Sequence, residues 1–122
     1  MADLLQLPPQ ALEAEMAVLG SMLIQAEAVD RALEFLDEKD FYKETHRKIF
    51  AAAVELHNQR QAVDIVTVAD SLRAKKVLGE VGGPQFLQEL QGKVATAAHV
   101  EHYAHIVREK SILRDLIRTA TE

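Results

Sequence analysis

The chain has no cysteine and no tryptophan, and its 122 residues include only 3 prolines and 5 glycines. Without thiols there is neither a disulfide framework nor a thiolate zinc site, which fits a reducing, cytoplasmic setting. Aromatic residues make up only 5%, and a core poor in large rings and rich in alanine suits closely packed helices better than sheets. No apolar run approaches the roughly 18 residues of a membrane span. The start Met1-Ala-Asp-Leu-Leu-Gln lacks the basic region of a secretion signal. With Lys+Arg 14 against Asp+Glu 19 the net charge is -5, the wrong sign for an autonomous binder of a phosphate backbone. Apolar residues nevertheless reach 48%, close to the average of folded globular chains, so disorder is disfavoured and one continuous core is expected.

The few prolines and glycines punctuate the chain. Pro8-Pro9 closes a leader over residues 1–9, and a first helix is expected over 10–25. Its Leu12, Met16, Leu19 and Leu23 follow helical spacing, widened by Val18, Met22 and Ile24. Gly20 in its middle costs about 1 kcal/mol relative to Ala, so close approach of a neighbouring helix is expected there. A second helix spans 28–36. Asp40 is read as the N-cap of a third helix opened by Phe41 and Tyr42 and running to His57. The β-branched Val63-Asp-Ile-Val66 has no second strand to pair with and is not assigned as a strand. Thr67 with Asp70 reads as a capping box for a fourth helix. Gly83-Pro84 starts a fifth, which Gly92 ends, and Thr96 caps the last. The expected fold is all-α: a compact bundle of five or six helices over 10–95, then one long helix over 96–122.

Chemistry is scarce. The phosphate loop Gly-x-x-x-x-Gly-Lys-Ser/Thr and the dinucleotide fingerprint are both absent, so no cofactor-binding residue is assigned. His99, His102 and His105 form a run at three-residue spacing. On a helix adjacent members lie roughly 60° apart and the outer pair about 120°. That arc converges poorly on one ion, unlike an i, i+4 pair, and a solvated polar face is the competing reading. The carboxylates Glu13/Glu15 and Asp37/Glu38/Asp40 are ordinary at helix starts and loops. No catalytic or metal-ligating residue is assigned.

The last helix is more telling. Its apolar residues continue almost to Glu122 with no glycine or proline to stop it, so the chain is expected to be a piece of something larger. Beyond Lys110 it has more apolar width than the rest of the chain is expected to cover, a surface that a neighbouring helix or subunit would normally take. The candidates for that interface are Ile106, Ile112, Leu113, Leu116 and Ile117, with Arg114 and Arg118 at the rim. Lys110, Arg114 and Arg118 also read as a basic stripe, against the plainer reading of cations placed favourably near a helix C-terminus.

Several segments, in order, carry a resemblance. They are Leu7-Pro-Pro-Gln-Ala-Leu-Glu-Ala-Glu-Met-Ala-Val-Leu-Gly20-Ser-Met-Leu; Asp40-Phe-Tyr-Lys-Glu-Thr-His-Arg-Lys-Ile-Phe50; Val63-Asp-Ile-Val-Thr-Val-Ala-Asp-Ser-Leu72; Val81-Gly-Gly-Pro-Gln-Phe-Leu; and Tyr103-Ala-His-Ile-Val-Arg-Glu-Lys-Ser-Ile-Leu-Arg114. Over roughly residues 7–122 the chain resembles the N-terminal domain of bacterial replicative DNA helicases of the DnaB type. The resemblance implies a helical head followed by a hairpin whose first arm starts at Thr96. It further implies self-association through that hairpin in a hexamer, and docking of primase on the resulting collar. ATP and magnesium are expected only in a following motor domain. Two other readings are a primase's helicase-binding domain, against which the Leu-Pro-Pro-Gln start argues, and a small stand-alone metal-dependent helical protein using the histidine run.

Overall fold

The computed structural model describes residues 7–121; residues 1–6, most of the expected leader, lie outside the described residues. Six α-helices account for the fold, and no strand occurs among the described residues. They are α1 (Leu12–Ile24), α2 (Ala26–Phe35), α3 (Glu44–Asn58), α4 (Ile65–Ala74), α5 (Gly83–Gly92) and α6 (Val100–Thr121). Short 3-10 turns at Glu38–Asp40 and Ala97–His99 lead toward α3 and α6.

Helix α1 is the central pillar and packs against α2, α3, α5 and α6. Burial therefore runs nearly all the way round it: every residue from Ala14 to Leu23 except Met16 is buried. A helix apolar on most sides belongs in the middle of a core. Leu12 and Met16 are only half-buried, and Ile24 is exposed at the helix end. Gly20 permits a close crossing. A Cβ built there would lie 2.1 Å from the carbonyl oxygen of Leu90 on α5, so the expected close approach is made by that backbone.

The third helix starts later than expected. Phe41 and Tyr42 precede it, and α3 begins at Glu44. Asp40 is not its N-cap. The Asp40 carboxylate instead accepts from the backbone N–H of Asp37 at 2.8 Å, closing the 3-10 turn behind it. The fourth helix starts earlier than expected, because Asp64 rather than Thr67 is its cap. Asp64 Oδ1 accepts from Thr67 N–H at 2.9 Å while Thr67 Oγ1 accepts from Asp64 N–H at 2.9 Å, a reciprocal box that satisfies two otherwise free donors. Gly82, in the left-handed region at φ 113°, is the residue before α5, one earlier than expected, and Pro84 sits in its first turn. Thr96 caps the 3-10 turn that leads into α6. No helix is long and apolar enough to cross a membrane among the described residues.

Candidate protein interface on the terminal helix

Helix α6 is 22 residues long, about 33 Å at 1.5 Å per residue. Its first half is part of the head: Val100, Ala104, Val107 and Ser111 are buried and repeat at helical spacing. Taking Val100 as zero and about 100° per residue, these four and Arg114 fall within about 40° of one direction. That direction faces α1 and α2.

The attachment of α6 is polar at its outer end. Asp40 Oδ1 accepts from Ser111 Oγ at 2.7 Å and from an Arg108 N–H at 3.0 Å. Arg114 donates to two backbone carbonyls, of Pro9 at 2.8 Å and of Asp40 at 2.7 Å, with its guanidinium 5.4 Å from the Tyr42 ring centroid. Nearer the start, Arg31 on α2 pairs with Glu101, and the Phe35 and His105 rings lie 4.5 Å apart.

Across the helix, Ile112, Leu113, Leu116 and Ile117 are 44, 38, 61 and 51% exposed. By the same 100° rule they lie between about 100° and 160° from the anchored direction. They form one contiguous apolar patch on the face turned away from the head. A shallow depression of about 300 Å³, lined by His105, Arg108, Glu109, Ile112 and Leu113, borders it. Exposed apolar residues standing singly need no explanation, whereas four adjoining ones on a helix make a candidate interaction surface.

The predicted candidates therefore divide. Ile112, Leu113, Leu116 and Ile117 come together on one outward face. Ile106 is half-buried and packs against the core. Arg114 faces the head, where it is hydrogen bonded within the chain, so it does not line up with Lys110 as a free basic stripe. Arg118 bonds to Asp115 at 2.5 Å. Sequence reasoning did not find that the buried face of α6 runs from Val100 through Ala104 and Val107 to Ser111. It also missed Asp40 and Ser111 as the anchor. The available signal was a serine in register with three buried apolar positions.

Among the described residues no group of three or more His, Cys, Asp or Glu side chains is arranged to hold a metal. A groove of about 820 Å³ between α2 and α3 is open and lined by half-buried or buried Leu33, Phe50 and Val54 with the exposed charged side chains of Asp37, Glu38, Lys39, Glu55 and Lys75. Lys48 on α3 is held above its ordinary value by its hydrogen bond to Glu80, an exposed pair with no part in either surface.

Comparison with known proteins gives a consistent picture. The family model for the DnaB-like helicase N terminal domain matches residues 7–109. The replicative DNA helicase DnaB of Geobacillus stearothermophilus is 49% identical over 95% of this chain and 26% of the relative. The replicative DNA helicase DnaC of Bacillus subtilis (strain 168) is 50% identical over 99% of this chain and 27% of the relative. The chain thus spans about a quarter of the length of these relatives. The crystal structure of the N-terminal domain of DnaB helicase from Mycobacterium tuberculosis superposes with a TM-score of 0.92 at 40% identity, covering 94% of this chain and 83% of that one.

Proposed function

Because this chain belongs to the family of DnaB-like helicase N-terminal domains, we propose that it is the protein-interaction and oligomerisation domain of a hexameric, ATP-dependent replicative DNA helicase. In this reading the chain scaffolds and does no chemistry. Helix α6 is the outgoing arm of a helical hairpin, and hairpins of neighbouring subunits build a collar on which a primase docks. ATP and magnesium would act in a separate motor domain, since no phosphate loop occurs in this sequence.

The observation that carries the reading is the outward apolar patch of Ile112, Leu113, Leu116 and Ile117 on a helix whose opposite face is anchored to the head. A rigidly held helix presents its apolar side chains with little ordering left to do on association, and such preorganisation favours binding. Of the other candidates, Ile106 packs against the core beside the proposed surface, and Arg114 and Arg118 lie within about 40° of the anchored direction, on the side of α6 away from it.

The test is Leu113→Asp combined with Leu116→Asp in the full-length protein. Sedimentation velocity should show loss of the hexamer, while circular dichroism of the 122-residue chain keeps its helix content. A hexamer that assembles normally would remove α6 from the interface. Primase docking is checked by light scattering of the same protein with and without the primase C-terminal domain.

A further inference from the structure

The last buried apolar side chain of α6 is Val107, and Ser111 is the only buried residue beyond it among those described. Beyond Val107, Arg108, Ser111 and Arg114 tie α6 to the head by polar and charged contacts that converge on one short stretch of chain, residues 40–42, and on Pro9. We infer that the Asp40 carboxylate is a positioning group that sets the direction in which the distal half of α6 leaves the head.

Apolar packing is non-directional, so the face from Val100 to Val107 fixes contact but permits rocking. Charge-assisted hydrogen bonds are short and directional. Asp40 supplies them within the turn after Val107, holding both Arg108 and Ser111 on a single oxygen. Its other oxygen is occupied by the Asp37 N–H, which fixes the carboxylate plane. The segment carrying Asp40 is itself pinned from the opposite side. Glu15 on α1 accepts from the N–H groups of Tyr42 and Lys43, at 2.6 and 3.4 Å, and Arg47 Nε donates to the Phe41 carbonyl at 2.7 Å. Residues 40–43 therefore act as a plate clamped to the core on one side and gripping α6 on the other. Without the Asp40 carboxylate the distal helix would keep the Arg114 contacts to the carbonyls of Pro9 and Asp40 but lose its hold at Arg108 and Ser111, and would rock more widely about Val107.

This is a statement about one chain's geometry and holds whether or not the outward patch meets another subunit, so its test is read within a single chain. The sequence has no cysteine, which allows Gln88→Cys on α5 and Thr119→Cys on α6, both exposed, to carry spin labels. Measurement in excess unlabelled chain isolates the intramolecular distance. The parent should give one narrow distribution. Asp40→Ala should at least double its width with helix content unchanged. If Asp40→Ala instead lowers helix content, Arg108→Gln and Ser111→Ala together decide, because they remove both carboxylate contacts to α6 and leave the Asp40–Asp37 turn and the Arg114 contacts intact. Removing the exposed Arg31–Glu101 pair by Arg31→Gln should leave the width as in the parent. An unchanged distribution in the folded Asp40 or double variant, or equal broadening in Arg31→Gln, overturns the assignment.

Discussion

The Glu15 carboxylate and the His46 imidazole lie 2.8 Å apart, and each is only 1% exposed. Glu15 belongs to α1, yet it serves the start of α3, where Lys43 provides no side-chain cap. Its two oxygens accept from Tyr42 N–H, Lys43 N–H and His46 Nδ1, doing from a neighbouring helix what a local N-cap does. The negative charge also complements the positive end of the α3 dipole.

Glu15→Ala would strand two backbone donors and a buried imidazole whose Nε2 already has no partner. Breaking a buried charged contact on one side costs about 3 kcal/mol, which for a chain of this size lowers Tm by roughly 10 °C. Glu15→Gln keeps one acceptor and should cost less. Glu13, exposed and paired with Lys93, is the control, since an exposed pair is worth roughly 0–1 kcal/mol. Thermal melts showing the two alanine variants equally stable would refute the cap.

Gly20→Ala should destabilise even though alanine favours a helix interior by about 1 kcal/mol. The added methyl meets the backbone oxygen of Leu90 at 2.1 Å, and a backbone cannot turn aside as a side chain can. Overpacking of this kind costs about 1–3 kcal/mol, so α1 and α5 must separate. Denaturant titration should show a lower midpoint. A raised midpoint would mean that the crossing is looser than described.

Asp64→Ala should cost about 1 kcal/mol, the usual loss for removing a helix cap. Asp70→Ala should stay within about 0.5 kcal/mol, since Asp70 is exposed and meets only Arg73 at 3.6 Å. The reverse order of the two variants in urea unfolding would move the start of α4 back to Thr67.

These contrasts show what could be read from the sequence. Helical spacing gave the central α1 and the long α6, and Gly and Pro marked the start of α5, because such signals are local. The start of α4 was ambiguous since Asp64/Thr67 and Thr67/Asp70 share the same three-residue spacing, and only the fold selects between them. Asp40 and Glu15 were misjudged for a different reason. Each resembles an ordinary acidic residue near a helix start, but the partners that define it stand far along the chain: Arg108 and Ser111 for Asp40, and His46 for Glu15. The outward patch was partly legible. Its apolar width was visible, while its separation from the anchored face depended on which residues the head covers.

The histidine run makes a distinct prediction. The His105 ring packs 4.5 Å from Phe35 and the His102 ring 5.8 Å from Tyr103, and His99 lies in the 3-10 turn before α6. Equimolar zinc should leave Tm unchanged, since a ligand that binds the folded state would raise it. A chelator-reversible rise would revive a metal role for these residues.

The two faces of α6 should separate stability from association. Val107 is buried, so Val107→Ala should cost about 2 kcal/mol through lost burial and the cavity left behind. Leu116→Ser and Ile117→Ser remove side chains already more than half exposed, so each should change stability by no more than about 0.5 kcal/mol. Their effect should fall on association. Sedimentation equilibrium of the double variant should give a weaker concentration dependence of mass than the parent, with the same melting curve at low concentration. If the double variant unfolds like Val107→Ala, the patch is packed within the chain and offers no surface to a partner. If it melts and associates like the parent, the four side chains are exposed without consequence, and the interface must lie on another face of the head.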